Sequence, residues 1–238
     1  MPQLKDLKIK IFADGADLKT MIEQDKGGIV KGFTTNPTLM KKNGINDYET
    51  FAKEVLKNIK DKPISFEVFS DEFNEMERQA KKISSWGSNI TVKIPITNTK
   101  SESSIPLIKK LSGEGLSLNI TAILTLDQVR AVKEALNPKV YSIVSVFAGR
   151  IADTGRDPTP YMTEAAKILK PLQNSDLLWA SSRELLNIFQ AEQAGCQIIT
   201  ITSDILKKLS QINKDLGELS LDTVEMFYKD ACDAGFKI

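Results

Sequence analysis

Lys93 lies in the run Asn89–Thr97, which carries β-branched residues at most positions and reads as a short buried strand. Side chains alternate along a strand, so Ile90, Val92 and Ile94 share one side while Thr91 and Lys93 share the other. Burial of a lysine disfavours its ammonium form, and a neutral amine adds to carbonyl carbons. Taken alone, the lysine is better explained as a strand-end side chain whose head snorkels to solvent. Its company decides between the two. The chain has 0 histidines, which removes Ser-His-Asp and Cys-His triads and histidine acid–base chemistry. Proton transfers must then fall to carboxylates, lysine, tyrosine or water, and the carboxylates that end their own strands are Asp14 and Glu67.

The elements that would position these groups repeat regularly. Strands are predicted over Lys8–Asp14, Ile29–Phe33, Ile64–Val68, Asn89–Thr97, Leu116–Thr121, Val140–Phe147, Asp176–Ala180 and Gln197–Ile201. Helices are predicted between them: Asp17–Gln24, one from Thr38, Tyr48–Lys60, Asp71–Ser85, Ser103–Leu111, Asp127–Leu136, Pro160–Leu169 and Arg183–Ala194. Further helical segments are expected from Ile205 and from Asp222. No linker or composition shift divides the 238 residues, so residues 1–238 read as one domain. Eight β/α units at this length match an α/β fold of the (β/α)8 barrel (TIM barrel) type, typically about 250 residues, with an additional C-terminal helix. An open doubly wound sheet is disfavoured because no Gly-rich phosphate turn follows any strand.

Composition narrows the classes further. A formal net charge of +1 gives no reason to expect nucleic acid or acidic membrane as partner. No apolar run approaches the roughly 18 residues of a membrane span, and the stretch up to Asp14 is too charged for a secretory signal. A cytoplasmic enzyme or binding protein is the expectation, with Cys196 and Cys232 free.

Barrel chemistry collects where strands end at the C-terminal face. Placing the aliphatic residues of each strand outward turns Asp14, Glu67, Lys93, Asn119 and Thr121 inward. Ser145 and Phe147 share a parity on the sixth strand, as do Ser181 and Arg183 on the seventh, though both strands are apolar on each face. Each residue has a structural explanation too: Asp14 and Asp17 could cap a helix, Asn36 could close a turn, and Arg183 could be a surface charge. An amine converging with two carboxylates, an amide and hydroxyls suits lysine-based carbonyl chemistry.

The residues also carry a family resemblance. Gly32–Met40, containing Thr34-Thr35-Asn36-Pro37-Thr38, resembles the transaldolase signature T-[ST]-N-P-[ST]. Val92-Lys93-Ile94-Pro95-Ile96-Thr97 is similar to the lysine strand of the small transaldolase and fructose-6-phosphate aldolase branch. The resemblance continues through Asn119-Ile120-Thr121, Phe147-Ala148-Gly149-Arg150 and Ala180-Ser181-Ser182-Arg183, across nearly the whole chain.

The resemblance implies that Lys93 forms a Schiff base with a ketose phosphate and that Asp14 takes the proton of the C4 hydroxyl. It implies that Glu67 moves protons through a water also held by Thr121. Asn36 and Asn119 are the expected contacts to the dihydroxyacetone part, with Thr35, Ser145 and Phe147 as further substrate-binding residues. Ser181 and Arg183 would take the phosphate with Arg150 nearby, since a guanidinium matches phosphate oxygens. No metal or other cofactor is expected; the implied partners are sugar phosphates and further copies of the chain. Relatives that release free dihydroxyacetone usually have glutamine and tyrosine at the positions of Glu67 and Phe147, so this pair implies transfer. The alternatives are an aldolase that releases dihydroxyacetone and a non-catalytic barrel that binds sugar phosphates.

Overall fold

The computed structural model describes residues 3–238. Eight parallel strands close on themselves: β1 (Lys10–Asp14), β2 (Val30–Thr34), β3 (Ile64–Glu67), β4 (Ile90–Pro95), β5 (Leu118–Ile123), β6 (Ser142–Val146), β7 (Ser175–Trp179) and β8 (Ile198–Thr202). Each pairs with the next and β1 pairs with β8, which leaves no open edge. The (β/α)8 barrel with a C-terminal helix is thus the observed architecture. The chain divides into two compact units, of which Lys8–Leu206 is the barrel.

Two interior layers organise the barrel. Phe12, Ile143, Leu178, Ala180 and Ile198 form one buried apolar cluster, with Phe147 packed against it. Gly32 on β2 makes room for it, because a Cβ there would fall 2.4 to 2.7 Å from atoms of the Phe12 ring. Two residues further along the same strands the side chains turn polar: Asp14 follows Phe12, Ser145 follows Ile143 and Thr200 follows Ile198. The apolar cluster therefore floors a polar mouth at the C-terminal ends of the strands. Outward-facing Ile11, Ile64, Phe66, Val92, Ile94 and Ile120 are buried beneath the helical layer, each such side chain stabilising the fold by roughly 1.5–3 kcal/mol.

Local chemistry sets several boundaries. Asp17 caps Leu18–Lys26 by accepting the Thr20 N–H, and Asn36 caps Pro37–Lys42 by accepting the Leu39 N–H. That helix begins at Pro37 rather than Thr38, since proline at the first position gives up only an N–H that has no helical partner. A short helix unanticipated from the sequence, Ala148–Ala152, follows β6. The helix expected from Arg183 begins at Leu186, because the Asn187 side chain accepts the N–H groups of Arg183 and Glu184 and holds them in a turn.

The second unit comprises described residues 3–7 and Lys207–Ile238. Its main element is the helix Leu216–Asp233, which starts earlier than Asp222 because Asp215 accepts the N–H groups of Gly217 and Glu218. Cys196 is a buried free thiol and Cys232 an exposed one. Among the described residues no helix is long and apolar enough to cross a membrane.

Candidate active site

The strand register brings the reactive groups together. Glu67 on β3 pairs with Lys93 on β4, which pairs with Asn119 on β5. Lys93 is 6% exposed, and its Nζ lies 3.0 Å from Glu67 Oε2 and 2.8 Å from the Thr35 carbonyl oxygen. The amine thus has a carboxylate at hand to take or return a proton, and a carbonyl that holds it in place.

Asp14 ends β1 beside this pair. Thr34 Oγ1 donates to Asp14 Oδ1 at 2.8 Å and lies 2.7 Å from Thr200 Oγ1. With its only hydrogen on Asp14, Thr34 must accept from Thr200, so the two threonines form a relay that ends on the carboxylate. Burial raises the Asp14 pKa above its ordinary value and the neighbouring Glu67 adds to this, while Lys93 and the Thr34 hydrogen bond pull the other way. A carboxylate so placed readily accepts a proton.

A chain of buried hydrogen bonds spans the opposite wall. Thr91 and Ser65 hydroxyls are 2.6 Å apart, Asn119 Nδ2 donates to Ser65 Oγ at 3.0 Å, and Ser145 Oγ donates to Asn119 Oδ1 at 2.7 Å. This fixes the Asn119 amide and leaves its second N–H for the cavity. Thr121 Oγ1 is buried, has no hydrogen-bond partner among the described residues and lines the same space. Just beyond it Ala122 adopts φ +61° and the β5–β6 register shifts.

The cavity so formed measures about 390 Å³. Ten of the expected residues line it: Asp14, Asn36, Glu67, Lys93, Asn119, Thr121, Ser145, Phe147, Arg150 and Ser181. Arg150 reaches it from the short helix Ala148–Ala152, its guanidinium carbon 6.0 Å from the centre of the Phe147 ring. Ser181 arrives by a different route from strand alternation. Leu178 and Ala180 face inward, so strict alternation would turn Ser181 outward, but its φ of +63° breaks the strand. Gly149 permits that turn: its N–H donates to the Ala180 carbonyl, and a Cβ on it would fall 1.6 Å from the Ser181 oxygen.

Thr35 and Arg183 do not line the cavity. The Thr35 side chain is fully buried and donates to the Ser65 carbonyl, so Thr35 meets the site through its backbone oxygen on Lys93. Arg183 lies beyond the Ser181 turn and makes a bidentate ion pair with Asp153, which holds the Asp153 carboxyl below the usual range. Asn36 both caps its helix and lines the cavity, so the two readings of it coexist. Thr34 enters the sequence reading only as the first residue of the signature, and Thr200 and Asp153 carry no motif of their own. The parity that turned Asp14 inward would have found Thr200, two residues beyond the inward Ile198, whereas nothing local links Asp153 to Arg183.

Known proteins resemble this chain over most of its length. The chain is similar to the probable transaldolase of Dehalococcoides mccartyi, 33% identical over 204 residues that cover 85% of this chain and 91% of that one. It is 35% identical over 204 residues to the probable transaldolase of Thermoplasma volcanium, covering 84% and 87%. The probable transaldolase of Thermoanaerobacter sp. is 31% identical over 231 residues, 97% of this chain and all of the other. The model of the transaldolase/fructose-6-phosphate aldolase family matches residues 11–238, and with a match of that extent the chain belongs to this family.

Proposed function

We propose that the protein is a transaldolase that moves a dihydroxyacetone unit from a ketose phosphate to an aldose phosphate through a Schiff base on Lys93. Sedoheptulose 7-phosphate or fructose 6-phosphate is the donor, and glyceraldehyde 3-phosphate or erythrose 4-phosphate the acceptor, which places the reaction in the pentose phosphate pathway. Lys93 hands a proton to Glu67 and attacks the C2 carbonyl. Glu67, through a water shared with Thr121, then protonates the departing hydroxyl as the carbinolamine becomes the imine. Asp14 accepts the C4 hydroxyl proton while the C3–C4 bond breaks, and its electrons flow into the imine to give an enamine. The first aldose leaves, the enamine carbon adds to the acceptor aldehyde, and Asp14 returns its proton to the new hydroxyl. Water releases the product ketose.

Asn36 and Asn119 meet the dihydroxyacetone hydroxyls. Ser181 and Arg150 receive the phosphate, and Arg183 joins them by exchanging the Asp153 carboxylate for phosphate oxygens. The observation that carries the reading is the buried Lys93 amine 3.0 Å from Glu67, in one cavity with an Asp14 whose pKa is raised. Phe147 favours transfer over release, because it offers the enamine no phenolic proton.

Borohydride reduction in the presence of fructose 6-phosphate, followed by peptide mass measurement, tests it. A dihydroxyacetone-sized adduct on Lys93 is expected, and its absence would leave only a sugar-phosphate-binding barrel. Turnover of fructose 6-phosphate should require erythrose 4-phosphate; equal turnover without an acceptor would make the enzyme an aldolase.

A further inference from the structure

The β2–β3 ladder stops one step short of the site. Phe33 N–H donates to the Pro63 carbonyl at 2.9 Å and Thr35 N–H to the Ser65 carbonyl at 3.1 Å. Continued by two residues, the parallel pattern would send the N–H of residue 37 to the Glu67 carbonyl and the Glu67 N–H to the Thr35 carbonyl. Neither bond exists. Residue 37 is proline and has no N–H, while the Thr35 carbonyl accepts from Lys93 Nζ at 2.8 Å. Both main-chain groups of Glu67 would be left unpaired at the edge of a partly buried cavity, which the backbone avoids.

One side chain satisfies both. The Tyr48 hydroxyl donates to the Glu67 carbonyl at 2.7 Å and accepts from the Glu67 N–H at 2.8 Å, using its single hydrogen and one lone pair. Tyr48 opens the helix Tyr48–Asn58, capped by Asp47 through the Thr50 N–H. Its ring is fixed by contacts with Phe66, Phe69 and Trp86 at centroid distances of 6.2, 5.4 and 6.0 Å. Burial lifts its phenol well above the usual range, so the hydroxyl keeps its donor hydrogen.

We infer that Tyr48 is a positioning residue for the reaction: its hydroxyl takes the place of the missing β2 ladder, sets the backbone of Glu67 and leaves the Thr35 carbonyl to hold the Lys93 amine. The inference rests on the roles proposed above for Glu67 and Lys93, although Tyr48 itself touches no reacting atom.

Tyr48→Phe keeps the ring and removes only the hydroxyl. Read by NMR, its Glu67 amide should exchange with solvent about 10-fold faster, the worth of one hydrogen bond, with the other strands of the barrel unchanged. The rate of Lys93 trapping with fructose 6-phosphate and borohydride should fall about 10-fold, KM for the ketose staying within about twofold. Combined with Glu67→Gln, which removes the carboxylate that Tyr48 aims, Tyr48→Phe should cost less than about twofold more. An unchanged Glu67 amide overturns the clamp, and equal losses with and without Glu67→Gln overturn its action through Glu67. If the wild-type chain forms no Lys93 adduct, the transfer reading falls, and amide exchange alone then decides whether Tyr48 sets Glu67.

Discussion

Glu67 and Lys93 are register partners on adjacent strands, and their charged atoms meet 3.0 Å apart inside the barrel mouth. Both groups give up hydration on burial, a cost offset by their short contact and by the 2.8 Å hydrogen bond from Lys93 Nζ to the Thr35 carbonyl. Glu67→Gln keeps the size of the side chain and removes the charge. Transfer should fall about 10–100-fold with little change in KM, the range for a hydrogen bond to a charged group. Lys93→Arg should abolish the borohydride adduct, because a guanidinium stays protonated and forms no imine.

Asp14 carries the pH dependence. Its raised pKa means that the base becomes ionised, and cleavage accelerates, as pH rises through a midpoint above the ordinary 3.8. The folded chain binds this proton more tightly than the unfolded chain, so ionising Asp14 costs stability as pH rises from 3.8 through the folded value. Asp14→Asn should reduce cleavage by about 100-fold or more. Its melting temperature should match that of the wild type at pH below 3.8 and exceed it at neutral pH.

The two arginines should separate on phosphate. Arg150 lines the cavity, whereas Arg183 is already engaged by Asp153. Arg150→Ala should raise KM for fructose 6-phosphate about 10–100-fold, while KM for unphosphorylated fructose should hardly move. Arg183→Ala should show a smaller rise, and Asp153→Asn, which loosens Arg183, should lower KM.

Gly32→Ala probes the barrel floor. A Cβ 2.4 Å from the Phe12 ring forces one of them to shift, and overpacking of this kind costs about 1–3 kcal/mol. Thermal unfolding should show the loss, and Phe12→Leu in the same chain should recover part of it.

Phe147→Tyr should shift the balance between transfer and release. Phe147 lines the cavity, so a phenolic hydroxyl there meets the enamine and can protonate it. Acceptor-independent turnover of fructose 6-phosphate, measured as free dihydroxyacetone, should rise at the expense of transfer.

The amino-acid sequence by itself determined the eight β/α units and the inward direction of Asp14, Glu67, Lys93, Asn119 and Thr121. The reason is local: side-chain alternation follows from the extended backbone, so one aliphatic face identifies the other. The same rule misdirects where a residue leaves the strand conformation. Ser181 enters the cavity only because of its positive φ and the bare Gly149 against its carbonyl, contacts made between two different β/α units. Arg183 was drawn off by Asp153, 30 residues away, and the Thr35 carbonyl was turned to Lys93, 58 residues away. The Tyr48 hydroxyl found its partner in a backbone whose ladder had ended at Pro37. These pairings depend on which main-chain and charged groups are left unsatisfied once the barrel closes, and only the tertiary structure decides that.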